Sequence, residues 1–359
     1  MNEKKKVVVG MSGGVDSSVA AMLLKEQGYD VIGVTMQIWE DEDALKRETE
    51  GGCCGLSAVE DARRVASQLE IPHYVMNFRK EFREKVMDYF VAEYLNGRTP
   101  NPCIACNRYV KWESLLYRSM EIGADYIATG HYACIKKLPN NRFAIANSVT
   151  AQKDQTYALY NLTQEQLAHT LMPVGSYTKP QIREMAENAG LMVAHKPDSQ
   201  EICFIPDHDY AAFIEKEKNG DVPPEGNFVS VAGEVLGRHK GITHYTIGQR
   251  KGLGIALGKP MFVKEIRTQT NEVVLADDAE VYEQALHANR LNFMAVPDIE
   301  KGRFLAKIRY SHRGAMCTVT REANDLVRVD FDEPQRAITP GQAIVFYTDD
   351  VVAGGGTIL

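Results

Sequence analysis

Lys6-Val7-Val8-Val9-Gly10-Met11-Ser12-Gly13-Gly14-Val15-Asp16-Ser17-Ser18 is the stretch that decides the architecture. Lys6 to Met11 is a short apolar run of the kind that forms a strand buried on both faces. Ser17 to Gln27 carries Val19, Met22 and Leu23 at helical spacing and stops at Gly28, a natural C-terminal cap. Between strand and helix stand paired glycines and three serines. Glycines let backbone N–H groups approach an anion, and a helix N-terminus adds partial positive charge, so the junction reads as a phosphate site. Asp16 would repel a bare phosphate; its expected work is to hold Mg²⁺ or to orient the loop. No G-x-x-x-x-G-K-[ST] occurs, which excludes a Walker-type loop. Gly252-Leu253-Gly254-Ile255-Ala256-Leu257-Gly258 has the wrong spacing for a dinucleotide fingerprint and lies in β-rich sequence.

Outward from this stretch, strand and helix alternate. Val31 to Met36, His73 to Phe78 and Tyr126 to Thr129 read as strands. Helical stripes run through Ala58, Ala62, Val65, Ala66 and Leu69, through Val86, Tyr89, Phe90 and Tyr94, and through Leu115, Leu116 and Met120. Thr178 with Gln181 three residues on, and Pro180 in the first turn, opens another helix through a capping box. Right-handed crossovers make such a pattern an α/β fold, a doubly wound parallel sheet. After about Phe204 helical periodicity fades. Short β-rich runs follow at Phe228 to Val231, Met261 to Ile266, Glu272 to Leu275, Phe304 to Tyr310, Met316 to Thr320, Leu326 to Phe331 and Ala343 to Tyr347. The expected division is a catalytic domain over 1–210, a central β-rich domain over 211–275 and a C-terminal β-barrel-like domain over 276–359.

The chain has 359 residues, 44% hydrophobic and 25% charged, with a net charge of −7. That charge argues against indiscriminate nucleic-acid binding, although Lys301, Arg303, Lys307, Arg309 and Arg313 form a basic run with no acidic residue among them. No stretch reaches the roughly 18 uninterrupted apolar residues of a membrane span. Lys4-Lys5-Lys6 before the valines imitates a signal peptide, but Ser12 to Asp16 interrupts the apolar segment at once, and a cytoplasmic location without membrane contact is expected.

Seven cysteines, an odd number in a long chain, are no disulfide framework. Cys103 and Cys106 form C-x-x-C within Asn101-Pro102-Cys103-Ile104-Ala105-Cys106-Asn107, and Cys203 stands alone later. A four-ligand zinc site lacks its second pair. A zinc deaminase needs an upstream H-x-E, and none of the nine histidines has Glu two residues on. Two buried structural thiols are the plain reading of C-x-x-C without context; a nucleotide loop upstream favours sulfur chemistry over it, because cysteine can carry transferable sulfur as a persulfide and a second thiol releases it. Three thiols could instead hold an iron–sulfur cluster. Cys53 and Cys54 read as a loop near the site, Cys134 and Cys317 as core residues, Trp39 and Trp112 as packing.

Ser12-Gly13-Gly14-Val15-Asp16-Ser17 resembles the PP-loop of the N-type ATP pyrophosphatases, which implies cleavage between the α- and β-phosphates of ATP. The chain as a whole resembles the tRNA-specific 2-thiouridylases. That resemblance rests on the PP-loop, Thr99-Pro100-Asn101-Pro102 to Cys106-Asn107, Thr129-Gly130-His131-Tyr132, Lys153-Asp154-Gln155, Ser199 to Ile205, Gly248-Gln249-Arg250-Lys251-Gly252-Leu253-Gly254 and Ile308-Arg309-Tyr310, in that order.

The resemblance implies 2-thiolation of the wobble uridine of tRNA, with ATP and Mg²⁺ as cofactors and the anticodon arm laid across all domains. Gly10, Met11, Ser12, Gly13, Gly14, Val15, Asp16, Ser17, Met36 and Gly130 would contact ATP. Cys106 would be the nucleophile and Cys203 the persulfide carrier. Asn101, Pro102 and Cys103 would lie beside the target base. Lys153, Asp154, Gln155, Arg309 and Tyr310 would touch the tRNA, and a cysteine desulfurase or sulfur relay would donate sulfur. Many members of that family carry Asp where this chain has Cys103. The thiol weakens an acid–base role there and keeps open a 4Fe–4S cluster on Cys103, Cys106 and Cys203. A PP-loop synthetase that adenylates a small metabolite is the alternative activity.

Overall fold

Val7, Val8 and Val9 are inaccessible to solvent, as a strand covered on both faces must be. In the computed structural model, which describes residues 4–39, 56–197 and 202–359, they form β1 (Lys6–Gly10). The chain falls into two units: Met1–Val86, Cys103–Pro206 and Asp349–Ala353 in the first, Met87–Pro102, Asp207–Thr348 and Gly354–Leu359 in the second.

In the first unit follow β2 (Asp30–Gln37), β3 (His73–Asn77), β4 (Tyr126–Ala128), a hairpin of β5 (Cys134–Lys137) and β6 (Phe143–Ala146), and β7 (Thr170–Leu171). The sheet order is β3-β2-β1-β4-β7, and every pairing in it is parallel. The expected doubly wound α/β sheet is therefore present, with β1 at its centre. Helices α1 (Val15–Glu26), α2 (Leu56–Gln68) and α3 (Lys179–Asn188) pack Val15, Val19, Leu23, Ala62, Val65, Ile182 and Ala186 around Val7 and Val9. The capping box of α3 is formed: the Thr178 N–H donates to Gln181 Oε1 at 2.9 Å.

Two local expectations need correction. The first helix begins at Val15 rather than Ser17, so Asp16 and Ser17 lie inside its first turn. The helix read from Leu115 to Met120 begins much earlier. Pro102–Ala105 runs into a π-helical stretch, Cys106–Leu115, and then into Leu116–Glu121. Apolar residues drift off the 3.6-residue period in a π-helical stretch, which hides it from a periodicity reading.

The second unit holds a sheet ordered β10-β11-β8-β9, made of β8 (Gly226–Ser230), β9 (Val235–His239), β10 (Phe262–Arg267) and β11 (Glu272–Ala276). Phe228, Tyr245, Leu253, Val263, Val273 and Leu275 form its core. Next come β12 (Tyr282–Phe293), β13 (Lys301–Lys307), β14 (Ala315–Ala323), β15 (Leu326–Arg336), β16 (Ala343–Thr348) and β17 (Val351–Ile358). Because β12 pairs with both β15 and β17, the run β12-β15-β14-β13-β16-β17 closes on itself as a barrel. Helical character does not end at Phe204. Tyr210–Glu217 is a helix capped by Asp209, whose carboxylate accepts from the Ala212 N–H at 2.9 Å. Its Tyr210 and Phe213 pack on Phe90, ring centroids 6.1 Å away.

Candidate active site at the phosphate loop

The loop after β1 is held open by its own backbone. Gly13 has φ +69°, and a Cβ there would stand 2.3 Å from the Ala58 carbonyl oxygen. Only glycine fits. Gly14 is extended at the N-cap; its carbonyl accepts from the hydroxyls of Ser17 at 3.3 Å and Ser18 at 2.8 Å. The Ser12 N–H donates to Ser17 Oγ at 3.2 Å. One residue earlier, Thr35 Oγ1 donates to the Met11 carbonyl at 2.8 Å and lies 2.9 Å from His73 Nε2. Since that hydroxyl spends its proton on Met11, His73 must donate through Nε2–H. Burial, then Arg63, lowers the His73 pKa and keeps the ring neutral.

Gly130, just past β4, closes the other side. A Cβ on it would lie 2.6 Å from the Ser17 nitrogen and 2.7 Å from the Asp16 carbonyl carbon. The strand order runs one way from β1 to β2 and β3 and the other way to β4 and β7. Ligands of such sheets bind in the crevice outside the strand ends at this reversal. Gly10 to Ser17 and Gly130 are thus brought together. Met36 sits half-buried near the end of β2, opposite Met76 of β3.

Asp16 has partners the sequence did not announce. Tyr132 donates its hydroxyl proton to Asp16 Oδ1 at 2.6 Å, and Lys179 Nζ lies 2.7 and 2.8 Å from the two carboxylate oxygens. Lys179 is the first residue of α3, placed there by the capping box that the sequence did show. Both carboxylate oxygens are thus engaged by Tyr132 and Lys179. A Mg²⁺ ion would fit only by exchange with Lys179, the nucleotide phosphates supplying most of its remaining oxygens.

The thiols occupy the first unit. Cys103 is exposed; Cys106 and Cys203 are half-buried. Cys106 opens the π-helical stretch, a distortion that concentrates at functional sites. Its neighbour Asn107 is buried and donates to the Ala158 carbonyl at 2.9 Å, while Lys111 Nζ donates to Asn107 Oδ1 at 2.8 Å. Lys111 also lies 3.4 Å from His131 Nε2, and His131 Nδ1 lies 2.7 Å from Thr129 Oγ1. A lysine only donates, so Nε2 is the acceptor and the proton is on Nδ1. Burial, then the charge of Lys111, pushes the His131 pKa well below its ordinary value. This chain of polar contacts ties the Cys106 segment to the Thr129-Gly130 end of β4.

Cys203 stands in a turn closed by the Ile205 N–H on the Ile202 carbonyl at 2.9 Å. Phe204 and Ile205 anchor it, each 1% exposed. Phe204 packs edge-on against Phe82 at 5.8 Å, and Phe82 against Trp39 at 5.6 Å. Trp39 follows the end of β2. Both thiol segments are therefore tethered to the strand ends where the phosphate loop lies. Among the described residues no three His, Cys, Asp or Glu side chains are grouped to hold a metal ion, so Cys103, Cys106 and Cys203 do not fit a cluster in this arrangement. Cys53 and Cys54 lie outside the described residues, as do Ser199, Gln200 and Glu201.

The remaining expected contacts divide. Asp154 braces its own loop, accepting from the N–H of Ser148 at 2.9 Å and Thr156 at 3.1 Å, and Gln155 ties that loop to the segment after β4, its Oε1 accepting from the Tyr132 N–H at 2.9 Å. Lys153 is partly exposed beside them. In the second unit Asn101 is half-buried and Pro102 buried. Arg309 donates to the Arg336 carbonyl at 3.0 Å, and Tyr310 is 50% exposed. Arg303, read as part of a basic face, is bound bidentately by Asp332 at 2.6 and 2.7 Å, an acidic partner from β15 that the linear run conceals. Cys317 is a core residue; Cys134 is only partly buried.

Residues 5–207 match the model described as tRNA methyl transferase HUP domain. The tRNA-specific 2-thiouridylase MnmA of Lachnoclostridium phytofermentans is 66% identical over 356 residues, 99% of each chain. The chain belongs to the MnmA family. The MnmA proteins of Acetivibrio thermocellus, 59% identical over 99% of each chain, and Clostridioides difficile, 56% identical over 99% of this chain and 98% of its own, agree. Residues 212–277 match a tRNA methyl transferase PRC-barrel domain and residues 283–358 an aminomethyltransferase beta-barrel domain.

Proposed function

We propose that the chain is an ATP-dependent tRNA-uridine 2-sulfurtransferase that acts on the wobble uridine. The observation that carries this is the joint tethering of the Cys106 and Cys203 segments to the strand ends beside the phosphate loop, in a chain similar to MnmA proteins over its whole length. The loop N–H groups of α1 hold the triphosphate. Oxygen 2 of the uridine attacks the α-phosphorus and pyrophosphate leaves. The terminal sulfur of a Cys203 persulfide attacks C2 of the base, and AMP departs with the oxygen. Cys106 thiolate attacks the Cys203 sulfur, which frees the thiocarbonyl sulfur and leaves a Cys106–Cys203 disulfide for an external thiol to reduce. None of these steps requires an iron–sulfur cluster, and Mg²⁺ bound beside Asp16 would add charge neutralisation at the phosphates. The sulfur arrives from a cysteine desulfurase or relay protein, and the working divisions remain 1–210, 211–275 and 276–359. Family descriptions that speak of methyl transfer fit these residues less well, since a methyl donor needs neither α-phosphate activation nor a thiol pair.

Incubation with ATP, a cysteine desulfurase with cysteine as the persulfide source, and unmodified tRNA, followed by nucleoside digestion, tests the proposal. Expected are 2-thiouridine and one pyrophosphate per thiolation, with Cys106→Ser abolishing the product when sulfur is supplied as persulfide. Pyrophosphate released on a small acid or amide without tRNA would replace this reading by a metabolite synthetase.

A further inference from the structure

The segment Thr246 to Leu253 takes no part in the site above, yet it is built to a fixed shape. Gln249 clamps it from inside: its Oε1 accepts from the Thr246 N–H at 3.0 Å, and its Nε2 donates to the Lys251 carbonyl at 3.0 Å. Backbone bonds fasten it to β10, Gly248 N–H to the Val263 carbonyl at 2.7 Å and Val263 N–H to the Gln249 carbonyl at 3.0 Å. Leu253 is buried in the core of the middle sheet, and Ile247 packs against that core. Gly248 at φ +86° and Gly252 at φ +75° make the two bends.

Arg250 and Lys251, at the crest between those anchors, are both exposed. Neither side chain has an ion-pair or hydrogen-bond partner among the described residues. Several neighbouring cations of this unit are ion-paired: Lys259 with Asp277, Arg267 with Glu265, Arg303 with Asp332 and Arg336 with Asp278. The crest also adjoins the barrel. A Cβ on Gly248 would stand 2.7 Å from Ala337 Cβ, and the carbonyl of Arg336, next in the chain, is the acceptor of Arg309. A rigid loop with two unneutralised cations thus abuts the strand end that anchors Arg309, with exposed Tyr310 and Arg313 following.

We infer that Arg250 and Lys251 form a grip for the sugar–phosphate backbone of the tRNA, continuous with the Arg309-Tyr310 surface. The assignment rests on the reading that tRNA is the substrate. Two cations with no base-reading side chain between them recognise charge spacing rather than sequence, and a preformed loop loses little entropy on binding.

The test is tRNA affinity of the full chain across a potassium chloride series. R250A/K251A, whose changes lie on the exposed crest, is expected to weaken binding about tenfold at physiological salt. It should also reduce the slope of log K against log salt by about two, one for each phosphate left without its cation. R250K should keep the slope, and ATP affinity should not change. Equal weakening for tRNAs of different sequence supports a backbone grip. A slope unchanged in R250A/K251A, while the unaltered chain binds tRNA, overturns the inference alone; weakening confined to one tRNA sequence overturns the backbone assignment. Failure of the unaltered chain to bind tRNA removes the substrate reading and this inference with it.

Discussion

Asp16 stands in the first turn of α1, beside the glycine loop proposed to hold the triphosphate. Left alone, it would oppose the charge that the loop N–H groups attract. Lys179 and Tyr132 resolve that conflict, one by charge and one by a hydrogen bond. The pair is partly buried, so removing one partner costs more than removing both. Lys179→Met is expected to weaken ATP binding about tenfold, ~1.4 kcal/mol, measured by calorimetric titration. Asp16→Asn placed on top should recover much of that loss, a coupling visible in a double-mutant cycle. If Lys179→Met binds ATP as the unaltered chain does, the lysine is not the counter-charge of the loop.

Elements meet at the phosphate loop with almost no clearance. Gly130 lies against the first turn of α1, and Gly13 against the Ala58 carbonyl of α2. Gly130→Ala is expected to push α1 away from β4 at a cost of about 1–3 kcal/mol, lowering the melting temperature and the rate of ATP–pyrophosphate exchange together. Gly13→Ala adds backbone strain at φ +69° and should be the worse of the two; a melting temperature unchanged in both would contradict these contacts. Trp112 makes a comparable joint inside the unit, its Nε1 donating to Thr170 Oγ1 at 2.8 Å while Gln166 Nε2 donates to its carbonyl at 3.1 Å. Trp112→Phe leaves Thr170 without that donor and is expected to cost about 1–3 kcal/mol in chemical denaturation; a variant as stable as the parent would deny the joint. Strands β1, β2 and β4 were legible because largely buried parallel strands read as apolar runs. β17 was not among the runs read from the sequence: three consecutive glycines, Gly354, Gly355 and Gly356, oppose strand propensity, yet Cβ atoms on Gly354 and Gly356 would stand 2.5 and 2.7 Å from the carbonyls of Asn292 and Asn289 on β12. Close approach of two backbones selects glycine there, against strand propensity. The same holds at the site. Gly130 and the PP-loop announce themselves by type and order, whereas Lys179 and Tyr132 acquire their roles only through the partner that folding brings to them.

At the scale of the whole molecule, four histidines bias stability against acid. His73 and His131 belong to the first unit, His239 and His312 to the second. In each, burial is the largest cause of a pKa below the ordinary 6.5, and for His131 the value falls well below it. The folded chain keeps these rings neutral, whereas the unfolded chain protonates them near 6.5. Below that pH the unfolded state binds more protons, so stability present above about pH 6.5 is lost as pH falls toward the folded values. Each ring contributes at most about 1.4 kcal/mol per pH unit within its window. Scanning calorimetry from about pH 7 to about pH 5 should therefore record falling transition temperatures for both units, well before the carboxylates of Asp330 and Asp332, whose pKa values are lowered by Arg328 and Arg303, begin to protonate. His131→Gln should lower the transition at about pH 7, because Lys111 and Thr129 lose a shaped partner, yet flatten its dependence on pH. Transition temperatures that stay level across this range would mean that these rings take up protons in the folded chain, and the neutral Nδ1–H form assigned to His131 beside Gly130 would have to be abandoned.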